Sequence, residues 1–179
     1  GFVLGAAGLA MSLFWWPSLP QPMPTHFDLH GAPDGYASRA VGALVIPAAI
    51  AAMGLLFALL ARISPRGWGL RAFEDTVALL AMATELFLLV VHVLVLRAAR
   101  EHAPLQNGVL FAAVGALFVV LGNRFGKMRR NFFIGIRTPW TLADDEVWLR
   151  THRRVGKVFV GSGLAIMALA LVPHGLFVI

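Results

Sequence analysis

The chain alternates between long apolar stretches and short polar segments. Five apolar stretches cover residues 1–16, 41–61, about 76–96, about 108–122 and 158 to about 172. Because an α-helix rises 1.5 Å per residue, about 20 apolar residues cross a hydrocarbon core of about 30 Å. Small residues also recur four positions apart, as at Ala48/Ala52 and Ala112/Ala116, which favours close helix contacts in lipid. The pattern predicts a bundle of transmembrane helices.

The two ends of the chain carry separate expectations. Trp15-Trp16-Pro17 lacks the small residues of a signal-peptide cleavage site, so the first stretch is interpreted as a retained helix. The sequence Pro173-His174-Gly175 is expected to stop the fifth helix. Residues 176–179 are apolar again, either as a continuation beyond a kink or as the beginning of a sixth helix. The predicted fold is an all-α integral membrane protein, a polytopic bundle of five to six transmembrane helices.

Composition excludes several classes of protein. Hydrophobic residues make up 59% of the 179 residues and charged residues 13%, whereas soluble domains are about 45–50% apolar and about 25% charged. Lipid must therefore cover much of the surface, which excludes a soluble globular domain, a coiled coil and a disordered chain. The chain has no cysteine, which excludes disulfides, thiolate zinc sites and cysteine nucleophiles.

The distribution of positive charge predicts the orientation in the membrane. If segment 17–38 lies outside, 12 of the 15 lysines and arginines lie in inside segments and 3 in outside segments. This bias follows the positive-inside rule, so the N-terminus is expected inside. It also accounts for the net charge of +6 without direct nucleic-acid binding.

The outer segment 17–38 is predicted to form a small extracellular cap. Four prolines in its first eight residues favour an extended course, residues 32–35 have the composition of a turn, and Ser38 can cap the second helix. His26, Asp28 and His30 are expected to alternate onto one face, with Asp34 nearby. These four residues either ligate a divalent transition metal or form a polar edge that hydrogen-bonds within the cap.

Two ionisable residues interrupt the third apolar stretch. Glu85 lies near its middle and His92 follows seven residues later, about 20° off the same helical face. Charged groups in lipid are costly, so this face is predicted to point into the bundle. Two interpretations stay open: a hydrogen-bonded carboxyl group that specifies helix packing, or a functional ion pathway.

The inner segment 123–157 begins with a part that is apolar but poorly suited to a helix. Thr138 precedes Pro139, which biases Thr138 away from helical conformation. An irregular backbone cannot face lipid with unpaired groups, so we predict a re-entrant plug at the cytoplasmic mouth of the bundle. Arg137 is expected to bind carbonyl oxygens or an acidic group, and Trp140 to hold the exit of the plug. The candidate acidic partners are Glu85, Asp144 and Glu146.

The rest of the inner segment is predicted to be an amphipathic helix. Thr141-x-x-Asp144 resembles a capping box and is expected to begin this helix. Acidic residues follow in the first turn, and basic residues come later, as the helix dipole favours. The helix is expected to continue directly into the fifth apolar stretch.

Two motifs, in the same order, resemble those of a known family. The SdpI family of bacterial membrane proteins has a signature that this chain resembles at Asn123, Asn131, Gly135, Arg137, Thr138, Pro139, Trp140, Thr141 and Trp148. The stretch 24–36 resembles the uncharacterised domain that precedes this segment in the family. The resemblance implies three regions: an N-terminal helical hairpin with the cap (1–61), a linker with the third helix (62–107), and an SdpI-like segment (108–179) containing the cytoplasmic loop 123–157.

The resemblance also implies a location and a function. It implies a multi-pass protein of the bacterial inner membrane that confers immunity to a secreted peptide toxin and captures a transcriptional repressor at the cytoplasmic side. The residues leave two alternatives, a small transporter or ion pathway using Glu85 and His92, and a metal-dependent membrane enzyme using the outer loop. No recognisable catalytic motif is present, so we expect no enzyme and no cofactor other than the alternative of a divalent metal.

Single cysteines at Gln21 and Lys127 test the orientation, because the native chain contains none. We expect a membrane-impermeant thiol reagent, applied to intact cells, to label the cysteine at position 21 and to spare the one at position 127. Labelling of position 127 alone would mean that the orientation is inverted.

Overall fold

The computed structural model describes residues 1–65 and 68–171, which are mostly helical. The helices are α1 (Phe2–Trp15), α2 (Arg39–Ile63), α3 (Glu74–Glu101), α4 (Asn107–Phe125), α5 (Pro139–Ala143) and α6 (Asp145–Ala170). Short 3₁₀ turns cover Trp16–Ser18 and Arg71–Phe73. The predicted stop at Pro173-His174-Gly175 and the apolar end 176–179 lie outside the described residues.

Three of the described helical segments are long and apolar enough to cross a membrane. They are Arg39–Leu60, Arg71–Glu101 and Asn107–Phe125. The first apolar helix, Phe2–Ser18, is shorter than these three and does not belong to this group. The membrane character of the chain thus follows from length and hydropathy, and the count of five to six spans stays a prediction.

The predicted joining of the inner surface helix to the fifth apolar stretch is confirmed. α6 is one continuous helix of 26 residues that begins with polar turns and ends in apolar ones. Its N-cap is Asp144, whose carboxylate accepts hydrogen bonds from the backbone N–H groups of Glu146 and Val147. The predicted beginning at Thr141 is therefore wrong, because Thr141 lies inside the separate short helix α5.

The closest helix contact joins α4 and α6 through glycines. A Cβ atom placed on Gly122 would lie 2.6 Å from the carbonyl oxygen of Gly156, and one on Gly163 would lie 2.5 Å from that of Gly115. Both helices thus carry two glycines seven residues apart, a spacing that returns to nearly the same face every two turns. Contacts this short leave no room for a side chain, so the two backbones meet directly.

Two clusters of buried apolar residues lie at opposite ends of the bundle. The outer cluster consists of Leu19, Met23, Ala43, Leu94, Val95, Leu96, Ala98, Ala99 and Leu105. The inner cluster consists of Leu70, Phe73, Val77, Leu80 and Met128. Helix α3 contributes to both clusters and therefore extends from the cap to the segment between α4 and α6.

The outer cap is a β-hairpin, so the expectation of an all-α chain is corrected. Strand β1 (Met23–Phe27) pairs antiparallel with β2 (Pro33–Ala37). The turn predicted at residues 32–35 is wrong, because the chain turns at 28–32. Asp28 accepts hydrogen bonds of 2.8 Å from the backbone N–H groups of His30 and Ala32, and Gly31 adopts φ +82°. This Asx-type turn reverses the chain before Pro33, which can then begin a strand.

Gly156→Ala is expected to lower the unfolding temperature in detergent. The added methyl group would meet the carbonyl oxygen of Gly122 at 2.5 Å, and overpacking of this kind costs about 1–3 kcal/mol. The matched control is Gly161→Ala on the same helix, where nothing lies within 4 Å of the new Cβ atom. That variant should be neutral or stabilising, because alanine favours helix over glycine. Equal effects of the two substitutions would contradict direct backbone contact.

Candidate functional site

The outer hairpin is held firmly against the ends of the helices. Met23 of β1 is fully buried, and its sulfur would lie 2.7 Å from a Cβ atom on Gly42 of α2. Gln21 accepts a hydrogen bond of 2.6 Å from the backbone N–H of Arg39, the first residue of α2. Ser38 caps α2 by accepting from the N–H of Val41, as predicted. The beginning of α2 therefore depends on the cap.

The turn of the hairpin contacts the loop between α3 and α4. The backbone N–H of Leu105 donates to the carbonyl of Gly31 at 2.8 Å. The side-chain amide of Asn107 donates to the carbonyl of Leu29, also at 2.8 Å. The cap thus bridges α2 to the α3–α4 loop and is a rigid part of the fold.

Two tryptophans at the end of α1 face arginines of neighbouring helices. The guanidinium of Arg100 lies 5.1 Å from the ring centroid of Trp15, and that of Arg39 lies 5.9 Å from the ring of Trp16. Such cation–π contacts leave the charges near water while the indole rings cover apolar surface. Trp15 and Trp16 thus lie at the same end of the bundle as the cap.

The four candidate metal residues of the cap are used in different ways. Nδ1 of His26 lies 2.5 Å from Oδ1 of Asp34, whereas Asp28 closes the turn with its carboxylate. His30 is exposed in the same turn. Among residues 1–65 and 68–171, no group of three histidine, aspartate or glutamate side chains converges as a metal site would require. The choice between a ligand set and a polar edge stays a prediction.

The side chain of His92 points into the bundle and belongs to a small hydrogen-bond network that joins α1, α2 and α3. Ser12 of α1 donates to the carbonyl of Ala43 in α2 at 2.6 Å, and its oxygen lies 2.9 Å from Nε2 of His92. Because the Ser12 proton is used, Nε2 is the donor of this pair, and it also lies 3.2 Å from the carbonyl of Gly8. Nδ1 has no hydrogen-bond partner within the part of the chain that the structure describes.

Glu85 is also buried but contacts a different place. Its side chain is only 2% exposed, and its Oε2 lies 3.0 Å from the backbone nitrogen of Gly1. Seven residues of α3 place Glu85 and His92 roughly 10 Å apart along the helix. The structure puts both groups on the inward face but does not bring them together. Ser12 was not predicted as a partner, although it is the one hydroxyl in the otherwise apolar run 1–16.

Asn131 organises the first turn of the cytoplasmic segment. It is fully buried, and its Oδ1 accepts from the backbone N–H groups of Phe133 and Ile134 at 2.9 and 2.7 Å. Its amide donates to the carbonyls of Arg129 and Ile134 at 3.0 and 2.9 Å. One side chain thus replaces four of the backbone partners that a helix would have supplied.

Thr138 and Thr141 form a reciprocal capping box around α5. The N–H of Thr141 donates to the Thr138 hydroxyl at 3.3 Å, and the N–H of Thr138 donates to the Thr141 hydroxyl at 2.9 Å. Pro139 occupies the first turn, where its missing N–H costs nothing. Thr141 also donates to the carbonyl of Ile136 at 2.8 Å, which ties α5 to the preceding segment.

Trp148 and His152 attach this segment to α6. Trp148 is buried, and its indole N–H donates to the carbonyl of Met128 at 2.9 Å. The His152 ring stacks on the indole with centroids 4.1 Å apart. Its Nε2 accepts from the backbone N–H of Ile136 at 3.0 Å, while Nδ1 donates to the carbonyl of Trp148 at 2.8 Å. The ring must be neutral to accept at Nε2.

Gly135 is required at this contact. Its φ is +119°, and a Cβ atom there would lie 2.5 Å from Nε2 of His152. Both the backbone conformation and the space exclude a side chain. His152 was not predicted as a site residue. The available signal was its position one helical turn after Trp148, which places both side chains on one face of the helix.

Three predicted motif residues are exposed. Arg137 lies 4.9 Å from the ring centroid of Phe132, and Arg137 forms no ion pair among residues 1–65 and 68–171. Trp140 is 65% exposed, whereas Trp148 is buried. Asn123 is exposed near the end of α4. Among the described residues, none of the candidate acidic partners Glu85, Asp144 and Glu146 forms an ion pair with Arg137. The carboxylate of Asp145 binds Arg130, at 2.8 Å.

An open cleft of about 690 Å³ separates the α2–α3 linker from the beginning of α6. Its lining residues are Gly69, Ala72, Met128, Arg129, Arg130, Asp145, Glu146, Trp148 and Leu149. The guanidinium of Arg130 lies 5.1 Å from the ring centroid of Trp68 at this place. Backbone hydrogen bonds from Val147 and Glu146 hold the pKa of the nearby Asp144 carboxyl below its usual value.

The stability of the cytoplasmic segment is expected to depend on pH through His152. Burial lowers the pKa of His152 below its ordinary value of 6.5. A lowered folded-state pKa means that stability is complete above 6.5 and is lost as pH falls toward the folded-state pKa. The unfolding temperature of the wild type should therefore fall as the pH is lowered from 7.5 into the acid range. We expect this fall to be smaller in His152→Gln.

The control for this measurement is His30→Gln, because His30 is exposed. It should leave the pH dependence of the wild-type chain unchanged. If His152→Gln and His30→Gln give the same pH profile as wild type, the neutral-ring contact does not contribute to stability.

Comparisons with known proteins match the two ends of the chain. A sequence model described as the SdpI/YfhL protein family matches residues 127–179, and a domain of unknown function, DUF1648, matches residues 3–51. The chain is 25% identical to the Immunity protein SdpI of Bacillus subtilis (strain 168) over 162 residues, which cover 89% of this chain and 74% of that protein. No solved structure matches the chain. The resemblance to the SdpI family is therefore confirmed, with the DUF1648 domain preceding the SdpI segment.

Proposed function

We propose that this chain is a membrane immunity protein that recognises a secreted peptide toxin at its outer side. The observation that carries the proposal is the similarity to Immunity protein SdpI, which extends over 89% of the chain and includes both the cap and the cytoplasmic segment. The cap supports it as well, since it is a rigid hairpin attached to α2 and to the α3–α4 loop. We propose no catalytic activity.

The exposed side of the cap offers suitable chemistry for a peptide. Leu29 is 87% exposed at the turn and Tyr36 is 59% exposed on β2. His26 and Asp34 add a polar pair on the same hairpin. An amphipathic peptide that reaches the membrane surface would meet apolar and hydrogen-bonding groups on a fixed scaffold, which reduces the entropy cost of binding.

At the cytoplasmic side we propose that the chain sequesters a transcriptional repressor. The cleft of about 690 Å³ supports this part of the proposal, because it presents apolar walls together with charges of both signs. Arg130 and Asp145 pair across it, and the Trp148 side chain forms part of its floor. Helix α3 connects the two sides, since it contributes to the outer and the inner apolar clusters.

A second candidate function is ion or proton transport along the inward face of α3. Two observations favour it: Glu85 is buried, and Nδ1 of His92 has no partner among residues 1–65 and 68–171. Against it, His92 is bound by Ser12 and Gly8 of α1, and the two groups are two helical turns apart. Proton flux in proteoliposomes that is lost in Glu85→Gln would favour transport over immunity.

The immunity proposal is tested by survival of toxin-sensitive cells that express the chain. The challenge is culture supernatant of the organism from which the chain comes. We expect the wild-type chain to protect. The double variant Leu29→Ala/Tyr36→Ala should protect only up to a toxin dose that is at least about tenfold lower, because truncating contact residues of this kind often costs over 1 kcal/mol of binding free energy.

The matched control is Phe14→Ala, which removes an aromatic group that is 79% exposed on α1 and lies outside the cap. It should protect like the wild type. All variants are compared at equal abundance in the membrane. Survival that does not depend on expression of the chain would contradict immunity, and equal protection by the cap variant and the control would contradict recognition through the cap.

A further inference from the structure

We propose that the outward face of α6 at Arg153, Arg154 and Lys157 binds the headgroups of anionic phospholipids in the cytoplasmic leaflet. This surface, here called the basic stripe, is separate from the cap and from the cleft of the proposed function. The proposal rests on three observations: the position of these residues around the helix, the pairing of the nearby carboxylates, and the depth of the stripe relative to the apolar part of α6.

The basic stripe lies opposite the buried face of α6. Arg150, Arg153, Arg154 and Lys157 follow the spacing i, i+3, i+4 and i+7, which places them on one side of a helix. The residues that α6 turns toward the bundle are Trp148, His152 and Gly156, all of them buried. Arg153, Arg154 and Lys157 are exposed. Arg154 and Lys157 therefore face away from the protein, while Arg153 lies at the edge of the stripe beside the end of α4.

The carboxylates near the stripe are already occupied. Asp144 caps α6, Asp145 binds Arg130 at 2.8 Å, and Glu146 binds Arg150 at 2.5 Å. Within the part of the chain that the structure describes, no carboxylate pairs with Arg153, Arg154 or Lys157. Their counter-charge must therefore come from outside the chain.

A further cation lies beside the stripe on the preceding element. The side chain of Arg153 passes along the end of α4, where its Cγ would lie 3.1 Å from a Cβ atom on Gly126. The next residue, Lys127, is exposed. Positive charge thus accumulates where the end of α4 meets α6, which raises the local attraction for anions.

The depth of the stripe matches that of lipid headgroups. Lys157 directly precedes Val158, which is 64% exposed and begins the apolar part of α6. At 1.5 Å per residue, Arg153 lies about 6 Å from Lys157 along the helix. The headgroup region on each side of a bilayer is about 5–7 Å thick. With the apolar part of α6 in the hydrocarbon core, the three cations fall within that layer, where anionic headgroups attract basic residues.

This position also favours lipid over other acidic partners. The stripe is continuous with the exposed apolar side chains of Val158 and Leu164, which would face acyl chains. A nucleic acid or an acidic protein would have to displace headgroups to reach Arg154 and Lys157 from the side. In a bilayer, phospholipid headgroups would occupy that space and supply the missing phosphate charge, so the geometry points to lipid.

The test measures the association of spin-labelled phosphatidylglycerol and spin-labelled phosphatidylcholine with the full chain in lipid vesicles. We expect the wild type to favour phosphatidylglycerol several-fold, and added salt to reduce the preference because the attraction is electrostatic. The variant Arg153→Gln/Arg154→Gln/Lys157→Gln should bring the ratio close to one. The variant Arg154→Gln/Lys157→Gln, which leaves the Arg153 packing intact, should lower the ratio in part.

Two controls separate charge from folding. Arg153→Lys/Arg154→Lys/Lys157→Arg conserves the charge and should keep the preference. Arg150→Gln removes a cation that is already paired with Glu146 and should change little. An undiminished preference in the triple glutamine variant overturns the proposal. Equal association of the wild type with both lipids also overturns the proposal. If the stripe variants then lose repressor capture, the stripe serves a protein partner.

Discussion

The chain between α4 and α6 can leave the helical conformation because three buried side chains satisfy its backbone. Asn131 binds four backbone groups, the Trp148 indole binds the carbonyl of Met128, and His152 binds the N–H of Ile136. At the surface of a membrane, unpaired backbone groups are costly and water is only partly available. These contacts therefore decide where the segment lies, and the cleft and the beginning of α6 follow from its position.

The glycine contacts of α4 and α6 complete this arrangement. Direct backbone contact at Gly122/Gly156 brings the end of α4 close to the first half of α6, so the connecting segment must fold beneath them. Phe125 and Phe159 pack at 4.9 Å beside this contact, and Phe125 also lies against the His152 ring. The close helix pair and the polar contacts of the cytoplasmic segment thus support one another.

Helix α3 relates the outer cap to this cytoplasmic region. Its outer end packs with Met23 of the hairpin, and its inner end packs with Met128 of the cytoplasmic segment. Between these ends it carries His92, bound to Ser12 of α1, and Glu85. A polar contact inside an apolar bundle specifies the rotation of α3, because any other rotation would expose these groups to lipid.

The amino-acid sequence by itself determined the class of the protein, the helices α2, α3 and α4 to within a few residues, the continuity of α6 and the inward orientation of Glu85 and His92. These properties depend on hydropathy and on the cost of placing polar groups in lipid, which are readable from neighbouring residues. The motif residues Asn131, Gly135 and Trp148 could also be singled out, although not the reasons for them.

Only the tertiary structure decided which groups meet. Ser12 pairs with His92 across 80 positions of the chain, and Ile136 pairs with His152 across 16. The hairpin turn was misplaced because residues 32–35 and the Asp28–Gly31 turn both have turn composition, and attachment to Leu105 favours the latter. Likewise, Thr141 and Asp144 both have side chains suited to an N-cap, but only Asp144 caps α6, while Thr141 lies inside α5 and bonds to Thr138, the N-cap of that helix. Local composition lists the candidates, whereas the choice depends on partners that are distant in sequence.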